Sequence, residues 1–270
     1  MMKIEAKEVY IVDDIFLINR KRLDFLGDII EKYNIKKNFL VYSRADFIAE
    51  NPDVITRWAK LGLKAVFIGL EAVLDSELQE MNKNCSVDHN LEAIRILREN
   101  KVDIYGSLIP GVNYKREDWK RLWRFIKENQ LYFINVSPIT PLPGADTYEN
   151  TKGELTVPED AHALFDLSHM LLQVDNLKKY YRELLFLYSR IILNLYRAKK
   201  VTQGSTYSVF SISYLLVILG TLKIGWQFWN AHKHHSLRKI KKKHNIKVNG
   251  PKVSLSRTNM NILFLRGHEK

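Results

Sequence analysis

The chain has a single cysteine, Cys85, in 270 residues. That excludes an internal disulfide framework and points to a reducing compartment. Its opening residues, "MMKIEAKEVY", hold no apolar signal core, so we expect a cytoplasmic protein. Long hydrophobic runs are also missing. The nearest candidate, Val209 to Leu222, is broken by Ser211, Ser213, Tyr214, Gly220 and Thr221. It falls short of the roughly 20 apolar residues of a spanning helix. There is no Walker loop, dinucleotide-binding glycine fingerprint or nucleophile elbow. Acid is scarce at one end only. Residues 223–270 hold twelve Lys/Arg against Glu269 alone, a charge of +11, whereas the other 30 Lys/Arg face 29 Asp/Glu and leave +1. The basic character belongs to a tail, whose partner is either an anionic membrane surface or nucleic acid.

What is present is a globular composition, 46% hydrophobic and 27% charged, and a repeating pattern. Apolar runs rich in Val, Ile, Phe and Tyr recur as "EVYIVDD" (8–14), "NFLVYSRAD" (38–46), "KAVFIGLEA" (64–72), "VDIYGSLIPG" (102–111) and "YFINVSPIT" (132–140). They read as strands. Helical stripes lie between them, at 20–33, 51–62, 86–100 and 115–129. Asn51 and Ser86 stand at N-cap positions, Pro52 at a first helical position and Gly62 at a helix end. The stripe of the third helix is Leu91, Ile94 and Leu97, and the fourth buries Trp119, Leu122, Trp123 and Ile126. Strands alternating with helices imply a parallel sheet, either doubly wound or part of a βα-barrel. Further on, 158–173 and 177–200 read as helices, with His162 and His169 spaced to share one face. The segment 204–230 reads as a buried or dimer-forming helix or as one lying in a membrane interface, and 231–270 as a flexible tail. We therefore expect three parts: 1–152, 153–230 and 231–270.

A buried parallel strand is almost continuously apolar. "YIVDDIF" reads as such a strand through Val12, broken by Asp13 and Asp14. Other runs also end in polar or turn residues: Ser43 and Arg44, Glu71, Pro110 and Gly111, and Pro141 to Gly144. Solvated strand ends account for any one of these. The set falls where parallel α/β folds bind ligands, at the C-terminal ends of the strands.

The order "VYIVDDIF", "YSRAD", "GLKAVFIGLEAVLDSELQEMNK", "GSLIPG", "ITPLPGADTYE" resembles the core of a radical S-adenosylmethionine (radical SAM) enzyme. The subgroup it resembles often carries an N-terminal cobalamin-binding domain. The likeness covers residues 8–149, more weakly 180–188. It implies an α/β fold, a partial (βα)6 TIM-like barrel of five βα units followed by a helical C-terminal extension. It also implies roles. Asp13 and Asp14 fall where such enzymes bind the methionine ammonium. Arg44 falls where a side chain contacts the cofactor or orients a carboxylate. Glu71 resembles the residue that reaches the ribose hydroxyls, and Lys83 the cation for the methionine carboxylate. Ser107, Ile109 and Gly111 match a G-x-I-x-G strand along the adenine, with Ser107 replacing its first glycine. Pro141 shapes the last wall.

The departure is in the cysteines. Radical SAM chemistry takes three thiolates from a C-x3-C-x2-C loop to hold a 4Fe–4S cluster. Cys85 is far from the expected place and reads as a packing residue. The expectation is a C-terminal portion of such an enzyme. It would be inactive alone, with the cluster loop, and any cobalamin domain, on an upstream segment or partner chain. Its substrate would be a small molecule or lipid. The alternative is a non-catalytic SAM- or partner-binding module whose basic tail contacts a membrane or nucleic acid. "HKHH" (232–235) reads as solvated charge.

Overall fold

The computed structural model describes residues 6–81, 85–195, 219–220 and 222–229. In chain order the elements are β1 (Glu8–Tyr10), α1 (Arg20–Lys32), β2 (Asn38–Arg44), α2 (Ala45–Glu50), α3 (Pro52–Leu61), β3 (Leu63–Glu71), α4 (Asp75–Glu80), α5 (Val87–Glu99), β4 (Asp103–Leu108), α6 (Arg116–Glu128), β5 (Phe133–Val136), α7 (Asp146–Thr151) and α8 (Leu177–Leu195). The chain divides into two compact units. One comprises 1–110, 117–136 and 193–207; the other comprises 111–116, 137–192 and 208–270.

The first unit holds the sheet. Its strands are all parallel and lie in the order β1-β2-β3-β4-β5. A doubly wound sheet reverses its order partway. Here each strand is added on the same side of the last, so the right-handed crossovers put the helices on one face. The five strands, each followed by helix, form a TIM-like half-barrel, as expected of a partial (βα)6 barrel. The strand faces differ accordingly. Phe39, Val41, Ile68, Leu70 and Leu108 are buried under the helices. The opposite face carries an aromatic row in register, Tyr42, Phe67, Tyr105 and Phe133. Its ring centroids are 5.0 Å apart for Tyr42–Phe67 and 5.1 Å for Tyr105–Phe133, and Tyr10 extends the row by a hydroxyl hydrogen bond to Tyr42.

β1 stops earlier than the sequence suggests. Ile11 N–H gives the last rung, 3.0 Å to the Leu40 carbonyl, and Val12 is 80% exposed. The chain turns at Asp14–Ile15 and returns, so Leu17 bridges Ser43 and both Phe16 and Leu17 are buried. The buried residues of this stretch therefore follow the carboxylates, and none of residues 6–12 is buried. Asn51 stands at the N-cap of α3 with Pro52 next, but its side-chain amide donates backward, 2.8 Å to the Phe47 carbonyl at the end of α2. Gly62 does end α3 in a left-handed conformation, φ 113°, where a Cβ would strike the Lys37 carbonyl oxygen. Ser86 caps α5 by accepting from His89 N–H, and the His89 ring returns the bond from Ser86 N–H.

In the second unit the helix expected over 158–173 is not formed. A single 3-10 turn spans His162–Leu164. The Asp166 carboxylate accepts from the N–H groups of Ser168 and His169 and from His169 Nδ1, and Leu167 has φ 61°. Side-chain capture of backbone donors competes with the helix ladder here. Strand-like contacts form instead: Leu155 bridges Leu172, and Thr156 N–H donates 2.8 Å to the Leu171 carbonyl. His162 and His169 consequently share no helix face. Helix α8 does form, and residues 222–229 are helical. Among the described residues no helix is long and apolar enough to cross a membrane. The tail 231–270 and most of 204–221 lie outside the described residues.

Candidate functional site

At the C-terminal edge of the sheet, one pleat above the aromatic row, the same face turns polar. Register aligns Arg44 with Gly69, Gly69 with Ser107, and Ser107 with Asn135. All four strands arrive buried on their helix side, and on the open side this row sets a guanidinium, a hydroxyl and an amide at the strand ends.

β3 breaks its ladder at this point. The register shifts between Gly69 and Glu71, and Glu71 adopts φ 60°. A left-handed non-glycine residue costs on the order of 1 kcal/mol or more and persists where its surroundings hold it. Three contacts hold it. The Asn90 amide, fully buried on α5, donates 2.9 Å to the Leu70 carbonyl and 3.3 Å to the Ala72 carbonyl, one on each side of Glu71. Ile109 N–H donates 2.7 Å to the Glu71 carbonyl itself. The consequence is in the side chain: Glu71 Oε1 lies 2.6 Å from where a Cβ on Gly69 would stand. The carboxylate is folded back over the glycine, into the row between Arg44 and Ser107. Only a residue without a side chain at 69 leaves that space.

The hydrogen-bonded Asp46 carboxylate raises the Arg44 guanidinium above its ordinary value against partial burial, and this carboxylate, within electrostatic reach, adds to the rise. Asp46 accepts from Arg44 Nε at 3.0 Å and from a terminal nitrogen at 2.5 Å. Although partly desolvated, its carboxyl is lowered by those bonds and by the Phe47 N–H. A guanidinium has five donors, so a second acceptor can be served. Cys85 is half-buried beside Asn90, and burial with the nearby Asp46 charge pushes its thiol up. It is a packing thiol rather than an activated one.

The structure thus brings Arg44, Glu71 and Ser107 together, with Ile109 bonded to the Glu71 backbone. Asp13 sits past the end of β1, and its carboxylate pairs with Arg22 at 2.6 Å, which holds it below the usual range. Asp14 is exposed in the adjoining turn. Gly111 belongs to the second unit, where Tyr114 closes against it, and Pro141 is buried there. Lys83 lies outside the described residues. Two contributors escaped the sequence reading. Asn135 continues the polar row from β5. Asn90 interrupts the α5 stripe with a polar residue, at i of i, i+4, i+7 with Ile94 and Leu97, and that interruption is the signal that could have found it.

The residues can be tested against the groups the resemblance implies. A carboxylate, a hydroxyl, a guanidinium and backbone amides along one strand edge fit the nucleoside and amino-acid ends of SAM. An iron–sulfur cluster does not fit: it takes several thiolates, and this chain has one. Among the described residues no three His, Cys, Asp or Glu side chains converge as a metal site.

No family model matches the chain. It is 28% identical over 172 residues to the hopanoid C-3 methylase of Methylococcus capsulatus, a match covering 64% of this chain and 33% of that protein. It is 24% identical over 204 residues to the bacteriochlorophyllide d C-8(2)-methyltransferase of Chlorobaculum tepidum, covering 73% and 44%. The chain thus spans less than half the length of these relatives. Among solved structures it is similar to the cobalamin-dependent S-adenosylmethionine radical enzyme OxsB with aqua-cobalamin and S-adenosylmethionine bound. That match has TM-score 0.42 and 19% identity, covering 55% of this chain and 22% of the other. These curated relatives, two methylating enzymes among them, support the radical SAM relationship that the five ordered motifs suggest.

Proposed function

We propose that the chain supplies the wall of a SAM pocket and of the adjoining substrate site in an enzyme of methyl transfer or carbon-skeleton rearrangement. The observation that carries this is the Glu71 bulge: a left-handed residue, braced from both sides, whose carboxylate is folded over Gly69 into a polar row at the strand ends. Glu71 and Ser107 would accept from and donate to the ribose hydroxyls, with Ile109 alongside the adenine. Arg44 would orient the methionine carboxylate, joined by Lys83, and Asp13 and Asp14 would take the ammonium. SAM, when bound, supplies a methyl or deoxyadenosyl group. The chain's own residues bind and orient it, and the half-buried aromatic row beneath offers an apolar floor to a small-molecule or lipid substrate. The cluster thiolates would come from another segment or a partner chain, and any cobalamin from the same source.

Calorimetric titration of SAM into the chain tests the assignment. Wild type binds, and Glu71→Gln weakens binding about tenfold by removing a charged acceptor. Equal affinity in the two proteins overturns the role of Glu71. The single cysteine also favours a second reading, a SAM-binding module without catalysis. Under that reading, adding a cysteine-bearing partner segment and iron under anaerobic conditions restores no SAM cleavage.

A further inference from the structure

The helical residues 222–229 carry two unlike faces. Phe228 is 2% exposed, with its ring centroid 5.2 Å from Tyr188 and 6.4 Å from Tyr181 on α8. That aromatic clasp ties the helix to its own unit. Roughly opposite, Leu219, Leu222, Trp226 and Trp229 are 50%, 52%, 64% and 43% exposed. Their spacing of three, four and three places them on one stripe about 15 Å long. Lys223 is exposed beside them. The sequence then continues "AHKHHSLRKIKKKH" (231–244), with six Lys/Arg, four His and no acid.

We propose that this stripe is a docking surface for an anionic membrane, on which the helix lies without crossing, and that the charge of the sequence after it draws the chain to such a surface. Each part answers one part of such a surface. Tryptophan rings settle at headgroup depth, where a ring can be half in hydrocarbon while its N–H stays wet. Leu219 and Leu222 supply the apolar area that an interfacial helix buries. The cations that follow meet lipid phosphates, and the absence of carboxylates among them removes the repulsion an anionic surface would otherwise impose. A nucleic acid would satisfy the cations but leave the leucines in water. A second copy of this chain would cover the leucines but set two +11 tails against each other. Only a lipid surface uses both features. The inference stands on residues outside the SAM row, so it is independent of the function proposed above.

Co-sedimentation of the full chain with vesicles decides it. Phosphatidylcholine alone is compared with an equal mixture of phosphatidylcholine and phosphatidylglycerol. The chain pellets with the mixed vesicles, and a Trp226→Ser/Trp229→Ser double variant binds them on the order of tenfold more weakly. Both tryptophans are exposed, so the fold is kept, and an unchanged far-UV circular dichroism spectrum verifies that. Raising the salt well above physiological strength releases the protein, as screening predicts. Failure to bind mixed vesicles overturns the proposal. So does binding that ignores the double substitution, which assigns the contact to the cations alone. Concentration-dependent dimerisation abolished by the double variant, or RNA binding that requires both tryptophans, assigns the stripe to another occupant and overturns it as well.

Discussion

Asp103 faces the same side of the sheet as Tyr105 and Ser107, but at the opposite end of β4 from the polar row. Burial alone pushes its carboxyl up to about 6. The sign follows from linkage. The unfolded carboxyl ionises near 3.9 while the folded one still holds its proton, so stability falls as pH rises from about 4 to about 6 and is flat above. Asp103→Asn removes that penalty. We expect the variant to be more stable than wild type by up to about 2 kcal/mol at pH 7, with the gap closing near pH 4. Urea unfolding at the two pH values checks this, and a gap independent of pH would show that the carboxyl is not the cause. The contrast with Glu71 is instructive. Both are carboxylates on β-strands, yet one is desolvated under an aromatic row and the other is placed at the edge by a backbone distortion.

Among elements, α5 does more than cover the sheet. Its Asn90 reaches across to the carbonyls of Leu70 and Ala72 and so fixes the bulge that aims Glu71. Asn90→Leu takes the amide donor from the Ala72 carbonyl and leaves the Leu70 carbonyl with the Ala72 N–H alone, and we expect a loss of about 1–3 kcal/mol in chemical unfolding. A loss under about 0.5 kcal/mol would mean the bulge holds without the brace. This is also where the sequence runs out as a guide. Five strands, four helices and the polar strand ends were legible because hydrophobic period and turn residues are local signals, whereas the strand order was open between a doubly wound sheet and a barrel until the resemblance implied the barrel. The end of β1 was not, because the apolar run continues past Asp13 and Asp14 to Phe16 and Leu17, and only the hydrogen-bond partner of Ile11 shows where pairing stops. The 158–173 stretch has helical spacing, but Asp166 captures the backbone donors that a helix would use. Helix α2 was hidden because "SRAD" reads on as strand. Arg44, Glu71 and Ser107 could be named from their motifs. The left-handed turn that brings the Glu71 carboxylate over Gly69 is a tertiary fact, set by Asn90 and Ile109 from other elements.

At the scale of the whole molecule, chemistry and charge are carried by separate stretches. The near-neutral residues 1–222 hold the half-barrel and its polar row, and the +11 stretch 223–270 opens on a helix with an exposed tryptophan stripe. Under the proposed function, the single thiol limits the part of the described residues to shaping the pocket and to binding and orienting SAM. That places the weight of the account on the row at the strand ends, and Gly69 isolates it. A Cβ there meets only the end of the Glu71 side chain, which can swing away, so Gly69→Ala displaces the carboxylate at little expense to the fold. The direct measurement is a calorimetric SAM titration of wild type and Gly69→Ala, with thermal unfolding recorded for both. The account predicts that wild type binds SAM, and that the variant melts within a few degrees of it yet binds on the order of tenfold more weakly. SAM affinity that is unchanged in Gly69→Ala, or absent from the wild-type chain, would contradict it.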